Sequence, residues 1–281
     1  MSKLVLNGKE LSKKIEEQLK EKVQFLKEKT GRVATLATII VGSDPASQTY
    51  VKMKGNACKR VGINSLKVEL KEETTTEDLL SVIDKLNKDE NIDGILLQHP
   101  VPKHIDERKC FNEISPKKDV DGVTSAGFGA MCMQEDAYVS ATPYGIMKII
   151  EYYNVEVEGK EAVVIGRSAI LGKPVAMMLL NKNATVTIAH SRTKNLSEVL
   201  KRADIVVACV GKPKFVKKEW LKENVVIIDA GYNPGNIGDV DLENCIELAS
   251  AYTPVPGGVG PMTIVSLMEQ TIKAFEKRVL G

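Results

Sequence analysis

Apolar positions along the chain alternate between two periods, one helical and one extended. After a turn at Asn7-Gly8, Leu11, Ile15, Leu19, Val23 and Leu26 recur at three- to four-residue spacing, which predicts a long amphipathic helix ending near Gly31. From Arg32 to Val41 the pattern becomes a β-branched run, as in a strand buried on both faces. Asp44 as cap and Pro45 at the first helical position then open a second helix to about Gly62. A strand over Asn64–Leu70 follows, then a helix from Glu77 to about Asn87 capped within Thr74-Thr75-Thr76. Next come a buried strand over Gly94–Gln98 and a helix over His104–Ile114 that Ser115-Pro116 breaks. Residues 123–140 carry neither period and are expected to be irregular. Thr142-Pro143 opens a further helix, Tyr144–Tyr153, and the domain boundary is placed near residue 141.

The second part reads as a βαβ series. Glu161–Ile165, Ala184–Ala189, Ile205–Val210 and Val225–Ala230 are predicted strands, with Gly166, Gly211 and Gly231 closing three of them. A helix is expected over Val175–Leu180. Thr253–Thr263 holds three prolines and three glycines in eleven residues, so it is neither a strand nor a helix interior. It has no charge, so its backbone would meet a ligand, unless it is a rigid interdomain hinge. Pro261 starts a terminal helix with an apolar face of Ile264, Met268, Ile272, Phe275 and Val279, and the first domain is there to receive it.

Composition narrows the function classes. The 281 residues suffice for one large domain or two ordinary ones, and 43% apolar against 27% charged residues excludes a disordered chain. Lys+Arg at 39 nearly balances Asp+Glu at 37, which argues against a nucleic-acid or membrane-surface partner. The longest apolar run, Val33 to Gly42, is half a membrane span and contains threonines. Met1-Ser2-Lys3-Leu4 begins neither a signal peptide nor a transit sequence. Cys58, Cys110, Cys132, Cys209 and Cys245 form no Cys-x-x-Cys and are odd in number, so reduced thiols and a cytoplasmic location are expected. His99, His104 and His190 have no zinc spacing, and no metal site is expected.

Three stretches carry candidate chemistry. Tyr50 and Lys54 stand four apart just beyond a predicted parallel strand, on one face of a helix, where open α/β sheets place their chemistry. The pair reads as a proton-transfer couple of the short-chain dehydrogenase kind, or as one buried tyrosine beside a solvated lysine. Asp119 and Asp121 lie in a polar loop and suggest a turn or a substrate contact; a divalent metal would need further oxygen ligands nearby. Gly166-Arg167-Ser168 through Gly172-Lys173-Pro174 sits between strand and helix, the layout of a dinucleotide-binding turn, although only two glycines of the usual three are present. The second strand of that series ends in His190-Ser191-Arg192, where an NAD site carries an acid. Ser191 and an arginine would welcome a ribose phosphate, so NADP is expected in preference to NAD.

With these segments in this order, the chain resembles the bifunctional methylenetetrahydrofolate dehydrogenase/methenyltetrahydrofolate cyclohydrolase family over nearly its whole length. Pro45–Lys54 is similar to that family's catalytic helix. Asp93–Gln98 and Lys118–Gly122 are similar to its substrate segments, Val164–Pro174 to its cofactor loop, and Pro254–Thr263 to its terminal signature. The resemblance implies an α/β protein of two domains with a cleft between them. A folate-binding catalytic domain would comprise residues 1–140 plus 262–281, with the last helix returning to it, and a Rossmann-like NADP-binding domain residues 141–261. It implies a homodimer through the cofactor domains, with tetrahydrofolate one-carbon derivatives as substrates. Lys54 would be the base for water, Gln98 its partner, Tyr50 a stacking group for the pterin, and Asp121 an acceptor for pterin nitrogens. Pro256, Gly257, Gly258 and Val259 would line the folate, and Gly166, Arg167, Ser168, Gly172, Pro174, Ser191, Arg192 and Gly211 the cofactor.

Elementary chemistry fits these roles. Hydride transfer asks chiefly for orientation, whereas hydrolysis asks for a proton acceptor, and a free lysine at pKa ~10.4 is a poor one at neutral pH. Two departures from the family pattern stand out: His99, expected at a strand end turned to solvent, and Gly55-Asn56, expected to loosen the helix beside Lys54. They keep open a monofunctional dehydrogenase of the same family with weak or absent cyclohydrolase activity. A folate- or NADP-binding pseudoenzyme is disfavoured by the intact Tyr50, Lys54, Gln98 and Asp121. A short-chain dehydrogenase fails on order, because its nucleotide fold precedes the Tyr/Lys pair.

Overall fold

The alternation of periods becomes an alternation of helices and parallel strands in the computed structural model, which describes residues 3–281. In chain order the elements are β1 (Leu4–Val5), α1 (Gly8–Thr30), β2 (Thr35–Val41), α2 (Pro45–Val61), β3 (Asn64–Leu70), α3 (Thr76–Lys88), β4 (Gly94–Leu97), α4 (Glu107–Glu113) and α5 (Ser125–Cys132). There follow α6 (Ala141–Tyr152), β5 (Glu161–Ile165), α7 (Gly172–Leu180), β6 (Thr185–Ala189), α8 (Leu196–Leu200), β7 (Ile205–Ala208), β8 (Val225–Asp229), α9 (Leu242–Cys245), β9 (Ala249–Tyr252) and α10 (Val259–Leu280).

Two compact units share the chain. One comprises Lys14–Ala141 with Ile264–Gly281, and the other, of the described residues, 3–13 with Thr142–Thr263. The first holds a parallel sheet in the order β3-β2-β4, the second a parallel sheet in the order β1-β9-β8-β7-β5-β6. In each, the chain leaves a central strand to one side and comes back on the other. The resulting switch points lie between β2 and β4 and between β5 and β7, and the carboxyl ends of such strands are where open sheets bind ligands.

Local signals explain most element ends. Asp44 accepts a hydrogen bond from Ser47 N at 2.7 Å with Pro45 at the first position, a cap worth about 1 kcal/mol, and Gly62 closes α2 in the left-handed region. Thr75 and Asp78 form a reciprocal capping box on α3. Asn7 is a cap as well as a turn residue, because its side chain accepts from Glu10 N at 3.1 Å.

Four expectations need correction. The first described strand does not group with the three-stranded unit: Leu4 and Val5 pair with β9, and Leu6 N donates to Tyr252 O, in a strand too short to show a period. The stretch expected to be irregular contains α5, started by Thr124 accepting from Gly127 N; its internal glycines hid it. The helix expected over His104–Ile114 starts only at Glu107, where Asp106 caps it. The terminal helix starts at Val259, so Gly260 and Pro261 lie in its first turn, where a missing N–H costs no hydrogen bond. Past Ile264, α10 belongs to the three-stranded unit and is buried more widely than one stripe: Val265, Ser266, Leu267, Gln270 and Thr271 are buried with Met268, Ile272 and Phe275. Val23 and Leu26 of α1 face Ile272 and Phe275 across a small apolar gap, and Cys58 of α2 packs its sulfur 3.5 Å from that of Met268.

Candidate functional site

β2 delivers α2 at the switch point of the smaller sheet, and β4 delivers Gln98 immediately beyond its last residue. The Lys54 ammonium donates to Gln98 Oε1 at 3.0 Å. The Gln98 amide in turn donates to the His99 carbonyl at 2.8 Å, and Gln98 N to Ile39 O, so its head-group is oriented from both ends. Burial drives the Lys54 pKa below the ordinary lysine value, and the Asp121 carboxylate opposes that shift. Reciprocally, burial pushes Asp121 up to about 6 against the pull of Lys54. Lys54, Gln98 and Asp121 are thus brought together. Tyr50 stands one turn before Lys54 on α2, with 39% of its surface exposed.

The turn carrying Asp121 is made by its neighbour. Asp119, 1% exposed, accepts from Val123 N and Thr124 N at 3.0 Å each, which consumes its carboxylate in the loop; burial lifts its pKa to about 6. The expectation for His99 is corrected. The imidazole is half-buried, edge-on to Phe111 with ring centroids 6.3 Å apart, because Phe111 on α4 lies over the end of β4. Burial lowers its pKa, with Glu107 opposing and Lys54 reinforcing the shift, so it is neutral at pH 7 and adds no charge beside Lys54. Gly55 leaves α2 unbroken, and a Cβ there would meet only Ser65 Oγ at 3.8 Å.

In the six-stranded unit, Gly166 follows β5 at the switch point. Its φ is +134°, and a Cβ would fall 2.5 Å from Cys209 O. A Cβ on Gly172 would fall 2.4 Å from Gly166 O, so helix α7 starts against the turn itself. Ser168 Oγ accepts from Gly172 N at 3.2 Å, and Ser168 O from Lys173 N. Pro174 is buried in the first turn of α7, while Arg167 and Ser168 are exposed. This close strand–turn–helix approach is the backbone cradle that a pyrophosphate requires, achieved with two glycines. Beyond β6, His190 N donates to Thr193 Oγ1 and Arg192 N to His190 Nδ1, which folds a turn with Ser191 and Arg192 exposed and no acid among its residues.

Sequence reasoning passed over the residues that shape the turn at Gly211. Asp239, fully buried, accepts from Val210 N, Gly211 N and Lys212 N at 2.6, 2.9 and 3.0 Å and from the Asn233 amide at 3.0 Å. Asp229 accepts from Gly231 N, Asp239 N and Val240 N, each at 2.9 Å. Asp229-Ala230-Gly231 and Asp239-Val240-Asp241 were the available signal. Pro256, Gly257, Gly258 and Val259 lie in the six-stranded unit at the start of α10, and Gly257 O accepts from Lys9 N at 2.7 Å.

Both units have counterparts among known proteins. Residues 6–121 match the model of the tetrahydrofolate dehydrogenase/cyclohydrolase catalytic domain, and residues 140–279 that of the NAD(P)-binding domain of the same family. A protein of Cellvibrio japonicus called bifunctional protein FolD is 61% identical over 279 residues, covering 99% of this chain and 100% of its own. The Campylobacter jejuni bifunctional enzyme FolD, a methylenetetrahydrofolate dehydrogenase/cyclohydrolase, superposes with a TM-score of 0.97 at 44% identity over 99% of this chain and 100% of its own. The Trypanosoma brucei N5,N10-methylenetetrahydrofolate dehydrogenase-cyclohydrolase, solved with NADP cofactor and inhibitor, gives 0.95 at 34% identity over the whole of both chains. With two α/β units, a lysine–glutamine pair at one switch point and a glycine cradle at the other, the chain belongs to the tetrahydrofolate dehydrogenase/cyclohydrolase family.

Proposed function

We propose that this chain oxidises 5,10-methylenetetrahydrofolate to the 5,10-methenyl compound with NADP, then hydrolyses that product to 10-formyltetrahydrofolate. The observation that carries the reading is the Lys54–Gln98 hydrogen bond, in which a lysine with a lowered pKa is held by a partner that cannot take its proton. In the hydrolytic step the Lys54 amine accepts a proton from water as its oxygen bonds to the methenyl carbon. The carbon–N5 bond then breaks as the hydroxyl gives up its proton to form the carbonyl and N5 takes one up, which leaves the formyl group on N10. A cationic substrate beside Lys54 disfavours the ammonium further, so the base form is favoured when it is needed. Asp121 accepts from pterin N–H groups, Tyr50 offers its exposed ring as a stacking face, and Pro256, Gly257, Gly258 and Val259 add backbone contacts to the folate.

When bound, the dinucleotide supplies the hydride acceptor. Gly166, Arg167, Ser168, Gly172 and Pro174 would hold its pyrophosphate, Gly211 would border it, and Ser191 and Arg192 would hold a 2′-phosphate; the absence of an acid there supports NADP over NAD. The domain division that goes with this reading gives the folate to the unit of α2 and β4 and the dinucleotide to the unit of β5 and α7. The half-buried β6 at an open sheet edge, beside Leu180 at 50% exposure, supports a homodimer through the latter unit, checked by light scattering. All five cysteines are free, in keeping with work in the cytoplasm. A dehydrogenase lacking the second activity is not favoured, because His99 is neutral and Gly55 leaves α2 intact.

One assay tests the proposal: methylenetetrahydrofolate is mixed with the protein and NADP or NAD, and methenyl absorbance is followed as it appears and decays. Appearance with NADP and catalysed decay are expected. No absorbance with either dinucleotide would sink the oxidation, and decay at the uncatalysed rate would sink the hydrolysis.

A further inference from the structure

Asp121 is useful only if its carboxylate is aimed, and both peptide groups that flank its α-carbon are held. On the C-terminal side, Asp121 O accepts from Ala141 N at 3.3 Å. On the N-terminal side, Val120 O accepts from the Gln270 side-chain amide at 2.8 Å. Because a peptide unit is planar, fixing the Val120 carbonyl fixes the plane of the Asp121 N–H, and holding both units sets φ and ψ at Asp121. Gln270 does more than that. Its second amide hydrogen goes to Val139 O at 2.8 Å, and its Oε1 accepts from Val139 N at 2.9 Å. At 4% exposure it therefore uses two donors and one acceptor on two backbone segments, and it reaches them from α10, 150 residues after the carbonyl it holds. Val120 has no room to drift, since it is fully buried and its methyl groups would lie within 2.9 Å of any Cβ on Gly94 at the start of β4.

We infer that Gln270 is a positioning residue for substrate and for the Lys54 base, acting through the Val120–Asp121 peptide; this inference rests on the function proposed above. It gives α10 a task at the site beyond filling the core. A misaimed Asp121 would bind the folate less well and would also withdraw from Lys54 the negative charge that opposes loss of its proton.

The test uses full-length wild type, Gln270→Met, Gln270→Glu and Thr271→Val. Methionine keeps the shape and loses all three hydrogen bonds, and glutamate turns a charge toward two carbonyls. Thr271 is equally buried on α10, but its hydroxyl donates to Leu267 O within the helix, so its variant loosens α10 without touching the Asp121 turn. For either Gln270 variant that folds, KM for methylene- and methenyltetrahydrofolate is expected to rise about tenfold. KM for NADP should be unchanged, and the pH midpoint of methenyl hydrolysis should move down. Thr271→Val should lower Tm while keeping both KM values and the midpoint. A Gln270 variant with a lowered Tm but wild-type folate KM and midpoint would overturn the inference and leave a merely structural glutamine. Wild type without either activity would instead overturn the functional reading.

Discussion

The tripeptide Asp-Val-Asp occurs once in each unit, as Asp119-Val120-Asp121 and as Asp239-Val240-Asp241, and the two copies differ in what the last acid does. In both, the first aspartate is buried and accepts backbone N–H groups, and the valine packs into the core. Asp121 is then left near the half-buried Lys54, and burial raises its pKa to about 6. Asp241 receives the Asn244 amide at 3.0 Å and has Lys214 and Lys217 at 3.5 Å, which together hold its carboxyl below the usual value. Identical residues thus titrate in opposite directions. On the function proposed above, Asp121 is the acid left for the substrate, whereas Asp241 is neutralised by side chains around its own turn.

The largest effect is expected at Lys54. Lys54→Met is expected to lower methenyl hydrolysis by about 10²–10⁴-fold while hydride transfer persists, read from the two phases of the absorbance assay; equal loss of both phases would refute Lys54 as the base. Next in size, Asp121→Asn should raise the folate KM about tenfold or more, while Asp241→Asn should leave both activities within about twofold. Equal effects in steady-state kinetics would erase the distinction between the two copies.

Stability should separate the turns by sign. The Asp119 pKa is raised from 3.8 to about 6 on folding, so its contribution is fully present below pH 3.8 and is lost as pH rises through 6, a loss of about 3 kcal/mol at most. Asp241 has a lowered pKa, so its contribution is present above 3.8 and is lost as pH falls. Urea titrations should therefore show Asp119→Asn removing a downward slope between pH 4 and about pH 6, and Asp241→Asn removing an upward slope below pH 4. The smallest effect is expected at His99. His99→Leu should change hydrolysis at pH 8 by less than about threefold, because the imidazole is already neutral there; a larger change would restore its influence on Lys54.

Periodicity made the parallel strands and long helices legible, and β3 and β5 match their expected limits. The caps at Asp44 and Thr75 were legible too, because each acts within four residues of itself. β1 and α5 were not, since one is two residues long and takes its order from a partner 247 positions away, and the other carries glycines where helices avoid them. At the site, residue types and spacing singled out Tyr50, Lys54 and the Asp119–Asp121 loop, and the family resemblance added the roles of Gln98 and Asp121. What could not be read was which Asp-Val-Asp meets a lysine, that His99 is covered by Phe111, and that Gln270 and Asp239 reach turns far from them in sequence. All of these depend on contacts that only the fold creates.

We infer that its surroundings turn Lys54 into a base, while the oxidation rests on orientation. Single-turnover rates of methenyl hydrolysis and hydride transfer, measured across pH with the uncatalysed rate subtracted, test it directly. Hydrolysis should rise with pH to a plateau through a midpoint below the ordinary lysine value of 10.5, with hydride transfer flat over the same range. A flat hydrolysis profile, or a midpoint at that ordinary value, would contradict it.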